Sequence, residues 1–109
     1  MISGIGIDII EIERIEKLLR GNDNFLTRNF TDAERTTNAR PESVAGRFAA
    51  KEAFAKALGT GFRGFNLRDV EVLRNDLGAP YIIFRGEMSN AQVSISHNRT
   101  TAVAVVVMT

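Results

Sequence analysis

Residues 47–61, RFAAKEAFAKALGTG, decide how this chain is read. Alanine, phenylalanine and leucine fill most of the segment, which predicts a packed helix with Gly59 as its stop. Four charges nonetheless stand inside it: Arg47, Lys51, Glu52 and Lys56. At about 100° per residue, Arg47 and Lys51 share a stripe with Phe54 and Leu58, while Glu52 and Lys56 share another with Phe48. Charges on such stripes either reach out of the core on long stems or are held by a group that neutralises them.

Working outward, Pro41 suits the first turn of this helix, which runs through Glu42 and Ser43 to Leu58 and is the longest element. Before it, FTDAE at 30–34 sets Thr31 as an N-cap with Glu34 three residues on, a capping box that starts a second helix. Earlier still, a loop with Asn22, Asp23 and Asn24 follows a short amphipathic helix marked by Ile12, Ile15, Leu18 and Leu19 and stopped by Gly21. Residues 2–10, ISGIGIDII, alternate as a strand with Ile5, Ile7 and Ile9 on one face and Gly4, Gly6 and Asp8 on the other. Asp8 thus leaves the strand opposite its apolar row.

Beyond the long helix, GTGFRG at 59–64 reads as a flexible loop. DVEVLRN at 69–75 and PYIIFR at 80–85 flank DLGA as a hairpin. QVSISH at 92–97 and AVAVVV at 102–107, separated by NRTT, repeat the device. The fold class is therefore α+β: an antiparallel or mixed β-sheet with a long central helix and shorter helices.

The 109 residues allow one domain, 1–109, with a modest core. Lys and Arg total 14 against 13 Asp and Glu, a net charge of +1, too little basic excess for a nucleic-acid binder. There is no cysteine, which excludes thiolate chemistry and disulfides and fits the cytoplasm. The apolar run AVAVVVM at 102–108 is too short to cross a bilayer, so no membrane role is expected.

Asp8 and Glu52 stand out because they leave apolar elements. Mg²⁺ takes one or two carboxylates and fills its octahedron with waters and substrate phosphates, so this pair suits a phosphate-handling Mg²⁺ site. The competing structural roles are Asp8 as a cap of the first helix and Glu52 as an i,i+4 partner of Lys56. Arg47, Lys51 and Lys56 make the long helix locally cationic, and Gly59 and Gly61 allow backbone amides near an anion, unless the basic stems simply snorkel and Gly59 simply caps. His97, the single histidine, ends a strand on the face of Val93 and Ile95, away from Ser94 and Ser96, as a phosphate donor, a proton carrier or a turn cap. A lone imidazole makes transition-metal ligation unexpected.

Taken together, GIGIDIIEIERI at 4–15, FTDAE at 30–34, GRFAAKEAFAKALGTG at 46–61 and VSISH at 93–97 resemble the holo-acyl-carrier-protein synthase family, the small 4′-phosphopantetheinyl transferases. The resemblance runs from residue 2 to about 107 with order and spacing kept. It implies the phosphopantetheinyl transferase fold and transfer of the phosphopantetheine arm of coenzyme A to a serine of apo acyl carrier protein, releasing adenosine 3′,5′-bisphosphate, in fatty-acid biosynthesis. Asp8 and Glu52 match the family's Mg²⁺ ligands, and Lys51 its conserved lysine at the phosphates or leaving group. Arg47 and His97 match residues near the coenzyme A phosphates. For the serine proton, the candidates are Glu52 or a metal-bound water near Asp8.

The resemblance also implies a homotrimer with clefts between subunits, His97 reaching a site whose Asp8 and Glu52 belong to its neighbour. Helix one would meet the acidic carrier through Arg14, with Leu18, Arg20 and Phe25 on the same surface. Where many relatives carry a basic-acidic pair after VSISH, this chain has Asn98, Arg99 and Thr100. The competing readings are a non-catalytic trimeric module that binds coenzyme A or carrier, and a small nucleotide hydrolase.

Overall fold

Glycine, not isoleucine, sets the inner face of the first strand. The computed structural model describes residues 1–21, 24–36 and 39–109. Strand β1 (Gly4–Glu11) pairs antiparallel with β6 (Thr101–Met108), and β6 with β5 (Ala91–His97), giving one sheet in the order β1-β6-β5. The register Gly6↔Val106, Asp8↔Ala104 and Ile10↔Ala102 puts glycine, aspartate and small apolar residues on one face. Ala102, Ala104 and Val106 are buried there.

Against this face lies the long helix α4 (Pro41–Leu58). A Cβ on Gly4 would stand 2.0 Å from the Ala57 carbonyl oxygen, and one on Gly6 would stand 1.9 Å from that of Ala53. No side chain fits at either position, so the two backbones approach directly. Asp8 does leave β1 opposite the isoleucines, but the apolar row is the one left outside: Ile5, Ile7 and Ile9 are 60–68% exposed.

Between β1 and α4 the chain forms α1 (Ile12–Arg20), α2 (Phe25–Asn29) and α3 (Asp32–Arg35). Alternation gives way to helical spacing at Ile12, and Ile12 and Ile15 are buried as that spacing requires. The capping box forms as read: Thr31 Oγ1 accepts from Glu34 N at 3.4 Å and Glu34 Oε1 from Thr31 N at 3.0 Å. Its helix is four residues long. The short helix α2 is absent from the sequence reading, and of the loop expected before it Asn22 and Asp23 lie outside the described residues.

After α4, a 3₁₀ turn (Leu67–Asp69) leads into β2 (Val70–Arg74), β3 (Pro80–Phe84) and the two-residue β4 (Glu87–Met88), a second sheet in the order β2-β3-β4. Asn75 Oδ1 builds the turn read from DLGA by accepting from Leu77 N and Ala79 N. Every pairing among the described residues is antiparallel, so the fold is α+β with α4 packed against both sheets. No helix among the described residues is long and apolar enough to cross a membrane.

Candidate active site

The glycine notch delivers Asp8 to α4. Because residues 4, 6 and 8 project from one side of β1, the close approach at Gly4 and Gly6 carries the next side chain in the row against the helix. There the Lys56 ammonium donates to Asp8 Oδ1 at 3.2 Å and to the Ile7 carbonyl at 2.9 Å. The Asp8 side chain is 19% exposed and that of Lys56 55%.

Glu52 precedes Lys56 by about one turn and is half-buried. Its carboxyl is held above the usual glutamate range, first by burial and then by the Asp8 charge, while Lys56 and Arg14 pull the other way. Asp8, Glu52, Lys56 and Arg14 thus share one electrostatic neighbourhood of two carboxylates and two cations. Asp8 does not cap α1: the N-cap is Glu11, whose side chain makes no capping bond.

Among the described residues no group of three or more His, Cys, Asp or Glu comes together as a metal cage. Two carboxylates close enough for the Asp8 charge to be felt at Glu52 are a donor set suited to a hard dication that takes its other ligands from water and phosphate. The residues present fit Mg²⁺.

Lys51 and Arg47, expected at the phosphates, lie in a separate buried cluster around Glu34. Lys51 is fully buried, and Nζ donates to Glu34 Oε1 at 2.7 Å and to the carbonyls of Val70 (2.7 Å), Leu67 (2.9 Å) and Asn29 (3.0 Å). Burial lowers its pKa to about 8 against the opposing pull of Glu34. Arg47 is buried and donates to the Glu34 carbonyl at 2.7 Å, and both cations lie over the Phe30 ring. Glu34, the hub of this cluster, is fully buried. Its sequence signal, the capping box, predicts only a helix start.

Gly59 and Gly61 do not offer amides to an anion. Gly59 adopts φ 80° and its N–H binds the Lys56 carbonyl at 3.0 Å, while Gly61 N–H binds that of Ala55 at 3.2 Å. Both close the end of α4. His97 is exposed on β5, two strands across from β1, and its Nδ1 lies 3.3 Å from the Asn98 carbonyl. It lines a cavity of about 460 Å³ with Arg40, Ser43 and Arg99, so one chain does not bring it to Asp8.

Of the expected carrier-facing residues, Arg14 and Arg20 are exposed on α1, and Leu18 is half-buried against the core. Phe25 is not a surface residue. It is 9% exposed and packs on Phe30 and Phe48 at ring-centroid distances of 5.9 and 5.7 Å.

The family model of the 4′-phosphopantetheinyl transferase superfamily matches residues 4–107. A holo-[acyl-carrier-protein] synthase of Clostridium botulinum is 48% identical, with 99% of this chain and 98% of that protein covered. The chain belongs to the holo-acyl-carrier-protein synthase family of phosphopantetheinyl transferases. Another relative of the same name, from Oceanobacillus iheyensis, is 47% identical over 99% of this chain and 97% of its own length. Among solved structures, the holo-(acyl-carrier-protein) synthase of Bacillus anthracis in complex with CoA (3′,5′-ADP) superposes with a TM-score of 0.84 at 46% identity, covering 98% of this chain and 96% of that one. The Helicobacter pylori enzyme in complex with coenzyme A gives 0.87 at 34% identity, with 96% and 99% covered. The α+β reading from the sequence therefore stands, and the chain is a phosphopantetheinyl transferase.

Proposed function

We propose that this chain, one domain over residues 1–109, transfers the 4′-phosphopantetheine arm of coenzyme A to a serine hydroxyl of apo acyl carrier protein. The reaction depends on Mg²⁺, releases adenosine 3′,5′-bisphosphate and serves fatty-acid biosynthesis in the cytoplasm. The observation that carries this reading is the meeting of Asp8, Glu52 and Lys56 at the β1–α4 contact.

Asp8 and Glu52 would hold the cation. When bound, Mg²⁺ neutralises the diphosphate as its bond to the leaving phosphate breaks. The serine oxygen attacks the phosphorus that bears pantetheine, and its proton must be taken up. Glu52, whose carboxyl burial and Asp8 hold above its usual range, is the chain's own candidate acceptor for it. Lys56, half-exposed beside Asp8, takes the phosphate-facing role that the sequence suggested for Lys51. No nucleophile is needed from this chain, because the partner supplies it.

The outer face of the β1-β6-β5 sheet supports a homotrimer. Ile5, Ile7 and Ile9 pair with Val107, Val105 and Val103, a contiguous apolar surface that one protomer leaves open. His97 reaching the Asp8 and Glu52 of a neighbouring copy belongs to the same proposal. Incubating the protein with coenzyme A, Mg²⁺ and an apo carrier, then weighing the carrier, tests the proposal. A mass gain of one phosphopantetheine arm that vanishes with chelator is expected; an unchanged carrier would overturn it.

A further inference from the structure

The rotation of α4 decides whether Glu52 and Lys56 face Asp8, yet the helix is poorly equipped to fix its own rotation. Ala45, Ala49, Ala50, Ala53, Ala55 and Ala57 are all buried, and such short side chains make shallow ridges that grip a neighbour weakly. On one side it is held by Gly4 and Gly6 against the carbonyls of Ala57 and Ala53. At about 100° per residue, Lys51 lies about 160° and 120° around the helix from Ala53 and Ala57, and Glu52 and Lys56 lie about 100° and 140° from Lys51 in the opposite sense, in the wider sector between the two anchors.

We propose that Lys51 is a positioning residue which, paired with Glu34, locks the rotation of α4 that presents Glu52 and Lys56 to Asp8. The four acceptors of its ammonium come from α2, α3, the 3₁₀ turn and β2. Glu34 extends the lock, its Oε2 accepting from Val72 N at 2.9 Å and its Oε1 from Thr31 N at 3.0 Å. Turning α4 would stretch several buried, directional bonds at once. Buried ion pairs are poor stabilisers compared with apolar replacements, and their better-attested use is to fix one arrangement among several.

The inference rests on the metal-site reading above, and the test separates the two. The double variant Lys51→Met/Glu34→Gln removes both charges while the amide can still accept from Val72 N. Its Mn²⁺ affinity in the presence of coenzyme A is measured by calorimetry beside its thermal unfolding, with Val72→Ala as a destabilised control and Asp8→Ala for the metal site. A loss of roughly 10-fold or more in Mn²⁺ affinity is expected for the folded double variant, with wild-type affinity in Val72→Ala. Wild-type affinity in the double variant, or an equal loss in Val72→Ala, overturns the positioning role. Unchanged affinity in Asp8→Ala overturns the metal reading instead. Should the double variant fail to fold, Lys51→Arg, which keeps the charge and loses the four-way geometry, is held to the same criterion.

Discussion

The Lys56 ammonium stands 3.2 Å from a carboxylate oxygen of Asp8, across a sequence separation of 48 residues. Lys51, five positions earlier on the same helix, is enclosed by Glu34 and three carbonyls. Of these two lysines, it is Lys56 that combines partial exposure with a place beside the carboxylates. Lys56→Met should therefore lower kcat on the order of 100-fold, the scale for losing one charge-stabilising donor, with the fold kept. Wild-type turnover in steady-state assays of a folded variant would remove Lys56 from the chemistry.

Gly6→Ala should cost about 1–3 kcal/mol, because its methyl meets the backbone oxygen of Ala53 and not a movable side chain. Gly46→Ala is a sensitive comparison: its Cβ would meet only the Cγ2 methyl of Ile95, at 2.8 Å. A helix interior favours alanine over glycine by about 1 kcal/mol. Urea unfolding midpoints should fall clearly for the first variant and stay near wild type for the second.

Ile7→Glu places a charge in the exposed isoleucine row. Sedimentation velocity should show dissociation to single chains, with far-ultraviolet circular dichroism unchanged and transfer activity lost in parallel. A variant that stays assembled would show that this sheet face is not the contact between copies.

Burial and the Asp8 charge raise the Glu52 pKa in the folded chain. Between the ordinary and the raised value the folded state binds a proton that the unfolded state has released, so this group's contribution to stability is lost as pH rises through that interval. A carboxyl-detected NMR titration of metal-free protein should place Glu52 above the usual glutamate range. Asp8→Asn should bring it only part of the way down, because burial is the larger cause. A value that does not respond to Asp8→Asn would show that the two carboxylates are not coupled.

Arg14 is exposed on α1 and felt by Glu52. Arg14→Glu should raise the apparent KM for carrier on the order of 10-fold at low salt, less at high salt, and by more than the KM for coenzyme A. Equal changes for both substrates would place the carrier on another face.

What the sequence makes legible is punctuation. Pro41 and Gly59 bound α4, Thr31 and Glu34 mark α3, and DLGA marks the β2–β3 turn, because each is a local backbone requirement. The faces of β1 resisted reading for a physical reason: its inner row is glycine because α4 comes too close for any side chain, so hydrophobicity points outward. Lys51 and Lys56 could not be told apart because periodicity gives their angular separation on α4 and not which sector faces the interior. The triple use of Glu34, as helix cap, strand acceptor and counterion, depends on partners 17 and 38 residues away.

One bond of Lys56 has a bearing outside the chemistry. Strand β1 ends its sheet, so one side of its backbone is open, and an open edge invites strand addition by another chain. By donating to the Ile7 carbonyl, the lysine covers one rung of that edge with a solvated charge. A solvated charge held at an edge rung is one of the devices that disfavour edge-to-edge strand pairing.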